Sequence, residues 1–395
     1  MSDENEKRSE TQAFSDFEKT GISKEWCSAL LNINIEKPTS VQSRVIPLLL
    51  AGKNVLFKSE TGTGKTFAYL LPMVQRIASE EKTGGVKAVI LSPTYELSSQ
   101  IKAQLQKISA MKSALLIGGA PIKRQIESLK EKPAIVIGSV GRITELLRLK
   151  KLKTDNLEWV VLDECDRLLD RELREDTQTL LSLLCEKKKV QVAGCSATAD
   201  KRTAELVSKM TGAELDFEEL PSEHILREKI EHWALFAERR DKIDTLRSFI
   251  NAVNAKASAK IIVFTARPDQ VENIERKLSY KKIKCVALHA KMGKMARKSA
   301  VDSFRNGKNP VLITSDVSAR GLDIPCITHV VQLDLGDDAA FFTHRAGRTA
   351  RQGAHGVNVV IGDEREMRSY AALEKKLGIV VYPKMLFKGE VVAPK

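Results

Sequence analysis

Residues Ser59 to Thr66 read Ser-Glu-Thr-Gly-Thr-Gly-Lys-Thr, and this stretch decides the fold of the first half of the chain. It follows the apolar run 55–57, Val-Leu-Phe, and precedes the apolar-rich segment 67–71, Phe-Ala-Tyr-Leu-Leu. A short apolar run, a glycine-containing turn and a helical pattern in this order predict a strand, a tight loop and a helix N-terminus.

The loop has the residues that hold a phosphate chain. Gly62 and Gly64 allow successive backbone N–H groups to point at phosphate oxygens, where the helix dipole also favours negative charge. Lys65 would reach the β- and γ-phosphates of a nucleotide, and the Thr66 hydroxyl would bind Mg²⁺. Ser59 stands where G-x-x-x-x-G-K-[ST] has its first glycine, so a glycine-rich helix start without a ligand remains the alternative.

Short apolar runs alternate with helical patterns along most of the chain, as in parallel sheets covered by helices on both faces. The series stops at the acidic stretch 213–225, which we interpret as a linker. The sequence therefore predicts an α/β fold with a first domain over 1–212, a second over 226–382 and a short tail over 383–395. The predicted strands are 55–57, 88–91, 114–117, 134–137, 159–162, 191–194, 261–264, 286–288, 311–313, 330–333 and 358–361.

Composition narrows the class of protein. The 395 residues suffice for two or three domains with their own cores. The longest aliphatic stretch, 45–51, is too short to span a bilayer and contains a proline. The charged N-terminus is not a signal peptide, so we expect a cytoplasmic protein without a membrane partner. The six cysteines have no Cys-x-x-Cys spacing, which argues against a disulfide scaffold and a metal–thiolate site.

The net charge of +13 is unevenly distributed. Residues 101–150 hold ten lysines and arginines against three acidic residues, and residues 251–300 hold twelve against three. A solvated surface would explain one such run. Two localised basic windows favour a polyanion such as nucleic acid.

Several weaker patterns lie at strand ends. Gln42, in Pro-Thr-Ser-Val-Gln, can donate and accept at once, which suits the N6/N7 edge of adenine. Ser92–Gln100 begins at a strand end, where a turn and helix cap are the simpler explanation. Gly118-Gly119 and Gly141-Arg142 also follow strands and offer backbone N–H groups and one arginine to phosphates.

The segment Val160–Asp166, Val-Val-Leu-Asp-Glu-Cys-Asp, is more specific. Asp163, at the end of a buried strand, can hold Mg²⁺, and Glu164 can orient an attacking water.

At this point the chain resembles the DEAD-box RNA helicases, with Asp-Glu-Cys-Asp in place of Asp-Glu-Ala-Asp. The resemblance extends over about 17–361. Further matching segments are Ser-Ala-Thr at 196–198, Ile-Ile-Val-Phe at 261–264, Thr-Ser-Asp-Val-Ser-Ala-Arg-Gly-Leu-Asp at 314–323 and His-Arg-Ala-Gly-Arg-Thr-Ala-Arg at 344–351. The family implies two tandem RecA-like domains of the superfamily 2 helicase core.

The resemblance also implies roles for individual residues. The expected catalytic residues are Lys65, Asp163, Glu164, Arg345 and Arg348. The expected ATP contacts are Phe17, Ile35, Gln42, Ser59, Thr61, Gly62, Thr63, Gly64, Lys65, Thr66, Asp323, Arg345 and Arg348. Thr66 and Asp163 would bind Mg²⁺. Ser196, Thr198, His344 and Arg351 would couple the sites. The expected RNA contacts are Pro93, Thr94, Gly118, Gly119, Gly141, Arg142, Arg267, Arg297 and Thr314.

Four positions depart from the family pattern. Ile35 replaces an aromatic residue against adenine, and Tyr95 replaces an arginine, which removes one expected phosphate contact. Lys294 replaces the glutamine of a Gln-x-x-Arg motif that ends at Arg297, and Val140 replaces a proline. None of these changes affects a residue assigned to hydrolysis.

The sequence thus predicts an ATP- and Mg²⁺-dependent RNA helicase that contacts the RNA backbone with little sequence preference and acts as a monomer. It would separate short duplexes or remodel ribonucleoprotein. An ATP-gated RNA clamp without productive unwinding is the alternative, and a DNA-directed helicase fits the motifs poorly. The RNA, the pathway and any protein partners stay open.

Overall fold

The computed structural model describes residues 16–60, 62–79, 84–186, 189–220, 225–256, 258–289, 291–316, 324, 326–335, 339–350 and 354–394. The chain divides into two compact units, residues 1–222 and 223–395.

The first unit contains a seven-stranded parallel sheet with the order β3-β4-β2-β5-β6-β1-β7. Its strands are β1 Val55–Lys58, β2 Ala88–Leu91, β3 Ser113–Leu116, β4 Ile135–Gly138, β5 Trp159–Asp163, β6 Gln191–Ser196 and β7 Asp216–Glu219. Its helices are α1 Lys24–Leu31, α2 Ser40–Leu50, α3 Lys65–Ser79, α4 Tyr95–Ile108, α5 Ile122–Lys130, α6 Val140–Arg148, α7 Cys165–Leu168, α8 Arg174–Cys185 and α9 Lys201–Thr211.

The central strands of this sheet are buried on both faces. Strands β2 and β4 have no exposed side chain, because helices cover the sheet on each side and form two separate apolar cores. Continuous apolar strands are therefore stable here, as expected for a parallel sheet. The arrangement places the carboxyl ends of neighbouring strands along one edge.

The second unit contains an eight-stranded sheet with the order β10-β11-β9-β12-β13-β8-β14-β15, parallel except for the β14–β15 pair. Its strands are β8 Ile230–Phe236, β9 Ile261–Phe264, β10 Cys285–Leu288, β11 Val311–Thr314, β12 His329–Gln332, β13 Gly356–Gly362, β14 Val381–Phe387 and β15 Glu390–Val392. Its α-helices are α10 Lys242–Lys256, α11 Gln270–Tyr280, α12 Lys294–Arg305, α13 Ala339–Ala346 and α14 Glu364–Leu377, and a π-helical turn spans Ile225–Lys229.

The predicted fold class, two α/β domains with parallel sheets, is confirmed. Each of the eleven predicted strands corresponds to an observed one within two residues at either end.

The predicted linker and tail need correction. Residues 216–219, assigned to the linker, form strand β7 and pair with β1. Their acidic side chains form ion pairs with basic residues of the first unit: Lys53–Asp216, Arg44–Glu218 and Lys58–Glu219. Residues assigned to the tail belong to β14 and β15. An edge strand has one neighbour and needs few apolar residues, so it leaves a weak sequence signal.

Among the helices in the described ranges, none combines the length and the apolar character needed to cross a bilayer.

Candidate active site

The phosphate loop, residues 59–66, joins β1 to α3 and depends on its glycines. Gly62 and Gly64 have φ angles of 89° and 86°, which favour glycine strongly. A Cβ atom on Gly64 would lie 2.5 Å from Nε2 of Gln42. Nε2 is the end of a flexible side chain that can shift, so it is the positive φ that disfavours a side chain at position 64.

Lys65 is held by backbone oxygens. Its Nζ donates to the carbonyl of Ser59 at 2.8 Å and to the carbonyl of Glu60 at 2.9 Å. Within the described residues no carboxylate pairs with this ammonium group. Phosphate oxygens could therefore replace the two carbonyls without breaking an ion pair.

Gln42 connects helix α2 to the phosphate loop. Its side-chain oxygen accepts from the backbone N–H of Thr39 at 3.0 Å, and its Nε2 donates to the carbonyl of Gly64 at 3.1 Å. The first of these bonds belongs to a capping box at the start of α2. A glutamine amide can form four hydrogen bonds. One N–H and one lone pair therefore remain for a ligand, which fits adenine.

Asp163 lies at the carboxyl end of β5 and accepts three hydrogen bonds. Tyr69 donates its hydroxyl to Oδ2 at 2.8 Å, and Oδ1 accepts from the backbone N–H of Glu164 at 2.9 Å and from Sγ of Cys195 at 3.1 Å. Burial raises the pKa of Tyr69 well above 10.0 and that of Cys195 well above 9.0, with the Asp163 charge adding to both. Both groups therefore stay protonated and act as donors.

Tyr69 places the two expected Mg²⁺ ligands, Thr66 and Asp163, near each other, because it follows Thr66 by three residues on α3 and donates its hydroxyl to Asp163. The described residues contain no cluster of three or more His, Cys, Asp or Glu side chains that could hold a metal. Mg²⁺ is usually bound by one or two carboxylates, water and substrate phosphates. A hydroxyl and a carboxylate beside a phosphate loop fit that ion.

Glu164 begins the turn from β5 into α7 with a left-handed backbone, φ 51° and ψ 52°. Non-glycine residues adopt this conformation at a cost, and such strain is concentrated at functional sites. The turn places Glu164 next to the metal-binding candidate Asp163.

The segment 196–198 touches both neighbouring motifs. The carbonyl of Ser196 accepts from the backbone N–H of Ser59 at 2.9 Å, and its Oγ accepts from the backbone N–H of Thr198 at 3.0 Å. The Thr198 hydroxyl donates to the carboxylate of Asp166. A movement of the phosphate loop could therefore displace Asp166 of the acidic motif through these hydrogen bonds.

Arg345, on α13 of the second unit, is bound to a carboxylate of its own domain. Its Nε and Nη2 donate to the two oxygens of Asp316 at 2.6 Å each. Its Nη1 donates to the carbonyl of Asp334 at 2.7 Å and to Oε1 of Gln332 at 3.3 Å. These contacts use four of the five N–H groups of a guanidinium. The expected catalytic and ATP-binding role of Arg345 stays a prediction; among the described residues, one N–H on its Nη2 has no hydrogen-bond partner.

Two family profiles match the chain: the DEAD/DEAH box helicase family over residues 39–207 and the helicase conserved C-terminal domain over residues 241–353. The DEAD-box ATP-dependent RNA helicase CshC of Bacillus cereus is 38% identical over 360 residues, covering 90% of each chain. The chain belongs to the DEAD-box helicase family.

A second relative of this DEAD-box protein supports the same conclusion. The probable ATP-dependent RNA helicase YfmL of Bacillus subtilis is 34% identical over 347 residues, covering 87% of this chain and 90% of that protein.

Two solved structures share the fold over nearly the whole chain. S. cerevisiae Dbp5 bound to RNA and ADP BeF3 is similar with a TM-score of 0.82 at 26% identity, covering 94% of this chain and 96% of Dbp5. Mss116p bound to ssRNA and AMP-PNP has a TM-score of 0.84 at 27% identity, covering 93% of this chain and 78% of Mss116p.

Two residues of this DEAD-box protein with predicted ligand contacts are buried. The side chain of Phe17 is 1% exposed and packs in the apolar core of the first domain. Thr314 is fully buried, and its hydroxyl donates to the carbonyl of Ser315. The ATP contact of Phe17 and the RNA contact of Thr314 stay predictions. Ile35 is only half-buried beside the same core as Phe17 and stays accessible to a base.

Three predicted residues, Thr61, Asp323 and Arg351, lie outside the described residues. Ser59 and Thr63 are buried, and their hydroxyl groups hydrogen-bond each other at 2.7 Å, which stiffens the phosphate loop. Arg348 is 7% exposed, and its Nε donates to the carbonyl of His344 at 3.2 Å, so the two form one turn.

The predicted RNA contacts of the first domain follow strands β2, β3 and β4. Gly118, Gly119 and Gly141 are exposed, and a Cβ atom at any of them would meet no atom within 4 Å. Their backbone is therefore open to a large ligand. Arg142 donates to the carbonyl of Ala120 at 3.0 Å and thereby links the first turn of α6, which contains Gly141, to the turn that contains Gly118 and Gly119.

The remaining predicted contacts differ in exposure. Pro93 and Thr94 are half-buried, and Thr94 caps helix α4 by accepting from the backbone N–H of Leu97. In the second domain Arg267 is exposed directly after β9, and Arg297 is half-buried in the first turn of α12. Tyr95 is 39% exposed beside Thr94, so its ring is open to solvent where the family has an arginine.

Sequence reasoning missed Tyr69, Cys195 and Asp316 as parts of these sites. Tyr69 follows Thr66 by three residues on a helix, a spacing that brings side chains together. Cys195 precedes the Ser-Ala-Thr segment on a buried strand, opposite Asp163 in the register. Asp316 had a signal as well, since it lies in the matched segment 314–323.

Proposed function

We propose that this chain is an ATP-dependent RNA helicase that couples ATP hydrolysis to RNA binding and to local separation of short RNA duplexes. One observation carries the proposal: Lys65 and Thr66, at the start of α3, and Asp163, at the end of β5, lie at one edge of the first sheet, where Tyr69 of α3 donates its hydroxyl to Asp163. A cation, a hydroxyl and a carboxylate in this arrangement suit a nucleoside triphosphate with Mg²⁺.

Each residue then has a physical task. Lys65 exchanges its two carbonyl partners for β- and γ-phosphate oxygens, and the loop N–H groups between Gly62 and Thr66 bind the phosphate chain. Gln42 reads adenine with its remaining N–H and lone pair. Thr66 and Asp163 hold Mg²⁺, which when bound neutralises charge on the phosphates.

Hydrolysis requires a positioned water and a cation from the second domain. Glu164, in Asp-Glu-Cys-Asp as a variant of the family's acidic motif, accepts the proton of the attacking water. Arg348 and the remaining N–H of Arg345 approach the γ-phosphate when the domains close, while Asp316 keeps the Arg345 guanidinium oriented. A cation that arrives on closure stabilises the transition state and makes turnover depend on closure.

RNA would favour the closed state by binding both domains. Dbp5 and Mss116p were solved with RNA bound. In this chain Gly118, Gly119 and Arg267 are exposed in turns or loops and Gly141 is exposed in the first turn of α6, so all four can contact an RNA backbone. Contacts with phosphates fix the strand without reading bases. Little sequence preference is therefore expected.

We further propose that the protein acts as a monomer in the cytoplasm. The cytoplasmic location rests on the composition, in which the longest aliphatic stretch, 45–51, is too short to span a bilayer. Light scattering of the purified protein and fractionation of cells test the two statements.

The function is tested by two assays on the same preparation, ATP hydrolysis with RNA or DNA added and strand release from a short RNA duplex. We expect RNA to raise turnover strongly, DNA to raise it little, and ATP to drive strand release. RNA-stimulated hydrolysis without strand release would favour the clamp. Equal stimulation by DNA would contradict RNA as the substrate.

A further inference from the structure

The end of helix α11 carries a basic patch that the motifs do not use. The patch consists of Lys277, Tyr280, Lys281, Lys282 and Lys284, in the sequence Lys-Leu-Ser-Tyr-Lys-Lys-Ile-Lys. All five side chains are exposed, and Tyr280 is the most exposed large apolar side chain described, at 83%. The ammonium group of Lys281 lies 5.8 Å from the centre of the Tyr280 ring.

The patch has no local counter-charge. In the part of the chain that the structure describes, none of its four lysines forms an ion pair. The nearest carboxylate along the chain, Glu275, accepts a hydrogen bond from Ser279 at 2.9 Å. Lys308, exposed in the turn before the neighbouring strand β11, adds to the positive field at this edge. A dense, unpaired set of cations attracts polyanions.

The backbone at Lys282 offers a way to test this residue. Its φ is 63°, the left-handed region that glycine occupies after α9 and α14, at Gly212 and Gly378. Lysine pays a conformational cost there that glycine avoids. Three other lysines, Lys132, Lys150 and Lys388, also have a positive φ, so the strain alone does not indicate a ligand. A favourable contact with the helix dipole is the structural alternative.

The patch lies at the opposite edge of the sheet from the helicase motifs. Lys284 precedes β10, whereas Arg267 and Asp316 follow β9 and β11 at the carboxyl edge. The four residues of β10 separate the two edges by about 13 Å. A strand bound at the motifs must therefore continue around the flank of the domain to reach the patch.

We propose that the patch is a second RNA-binding surface, which holds single-stranded RNA beyond the segment bound at the motifs; this inference rests on the proposed function. The lysines contact phosphates, and Tyr280 stacks on a base. Sequence-neutral binding of single strands combines these two contacts. An acidic protein partner would also attract the cations, but protein–protein interfaces are depleted in lysine, so four lysines around one ring favour RNA.

The test compares native protein with two patch variants and one control. The variants are Tyr280→Ala and the pair Lys281→Gln with Lys282→Gln. The control is Lys375→Gln with Lys376→Gln, because these lysines are also exposed in the last turn of a helix of the same domain but directly follow the carboxylate of Glu374. Affinity is measured across a salt series for an RNA of about 8 nucleotides, the length that one site covers, and for one several times longer.

We expect all proteins to bind the short RNA equally. For the long RNA, Tyr280→Ala should lower affinity about ten-fold, and the lysine pair should make the slope of log K against log salt shallower by about 1.4. An unchanged long-RNA affinity and slope in both patch variants, or the same loss in the control, would overturn the proposal. If native protein binds neither RNA, the proposed function fails with it.

Lys282→Gly separates an RNA contact from a structural role. The variant relieves the left-handed strain, so its melting temperature should not fall. If Lys282 contacts RNA, the slope for the long RNA becomes shallower by about 0.7. If Lys282 acts only on the helix dipole, long-RNA binding stays at the native value, and this residue is removed from the patch.

Discussion

Lys65 and Arg345 are two of the cations that the motifs assign to the phosphates, and the two domains hold them differently. Lys65 is half-buried and donates to two backbone carbonyls. Arg345 is 5% exposed and makes a two-pronged ion pair with Asp316. The motif locates both residues, but the partner decides how much of the charge is available to a ligand.

Lys65 and Arg345 differ in the free energy that it costs to remove them from their partners. When Lys65 leaves its carbonyls, water can replace the ammonium group at little cost. When Arg345 is removed, the carboxylate of Asp316 stays in a mostly buried place without its partner. Breaking one partner out of a buried pair typically costs about 3–5 kcal/mol.

Removing Lys65 or the carboxylate of Glu164 should give the largest functional effects and the smallest structural ones. Lys65→Ala should lower RNA-stimulated ATP turnover by about two to three orders of magnitude, since one preorganised charge at the transition state is lost. Glu164→Gln should lower turnover by about two to four orders. Steady-state hydrolysis measures both, and unchanged melting temperatures are the control. Normal turnover in either variant would sink the active-site assignment.

Removing Arg345 should have a structural effect that removing Lys65 lacks. Arg345→Ala should lower the free energy of unfolding of the second domain by about 3–5 kcal/mol and leave the first domain intact. Hydrogen exchange read by mass spectrometry resolves the two domains. An Arg345→Ala protein whose second domain is as stable as the native one would contradict a structural role for the ion pair.

Tyr69 donates to a buried carboxylate in the first domain, so its removal should also affect stability. Tyr69→Phe removes one donor to the buried carboxylate of Asp163, so the first domain should lose about 1.5–3 kcal/mol of stability. Chemical denaturation followed by domain-resolved exchange measures the loss. Tyr280→Phe, at an exposed residue, serves as the matched control. Equal stabilities of the two variants would show that the Tyr69–Asp163 bond contributes nothing.

Acid should distinguish the domains, because all six histidines follow residue 222. Burial lowers the pKa of His329 from 6.5 to about 4 and also lowers the pKa of His232. The unfolded chain thus binds protons first, so the stability from neutral His329 is complete above about pH 6.5 and is lost as the pH falls towards about 4, by up to about 1.4 kcal/mol per pH unit.

The measurement is domain-resolved unfolding as a function of pH. His329→Gln should flatten the pH dependence of the second domain, and the exposed His355→Gln should leave it unchanged. A second domain whose stability does not change between pH 6.5 and 4 would contradict this account of His329.

Much of the fold was predictable because buried parallel strands are continuous apolar runs. Strand β7, Asp-Phe-Glu-Glu, could not be predicted, because its acidic side chains form ion pairs with residues about 160 positions away along the chain. Strand β14 contains Pro383, which is tolerated only near a sheet edge, and so it resembled a tail.

Positions in the site were also predictable, whereas partners were not. Lys65, Gln42 and Asp163 were found because the chemistry demands those residue types at those spacings. The ion pair between Arg345 and Asp316 could not be predicted from the motif of Arg345. Asp316 is 29 residues away, and the bond depends on how α13 packs near β11. The burial of Phe17 likewise depends on tertiary packing.

Arg345 is held by a carboxylate of its own domain, whereas Lys65 is held by carbonyls alone. A double-mutant cycle on Arg345 and Asp316 tests this difference most directly. The unfolding free energy of the second domain is measured for Arg345→Ala, Asp316→Ala and the double variant. We expect a coupling energy of about 2–3 kcal/mol, because either single change already breaks the pair. Effects that add within about 0.5 kcal/mol would contradict it.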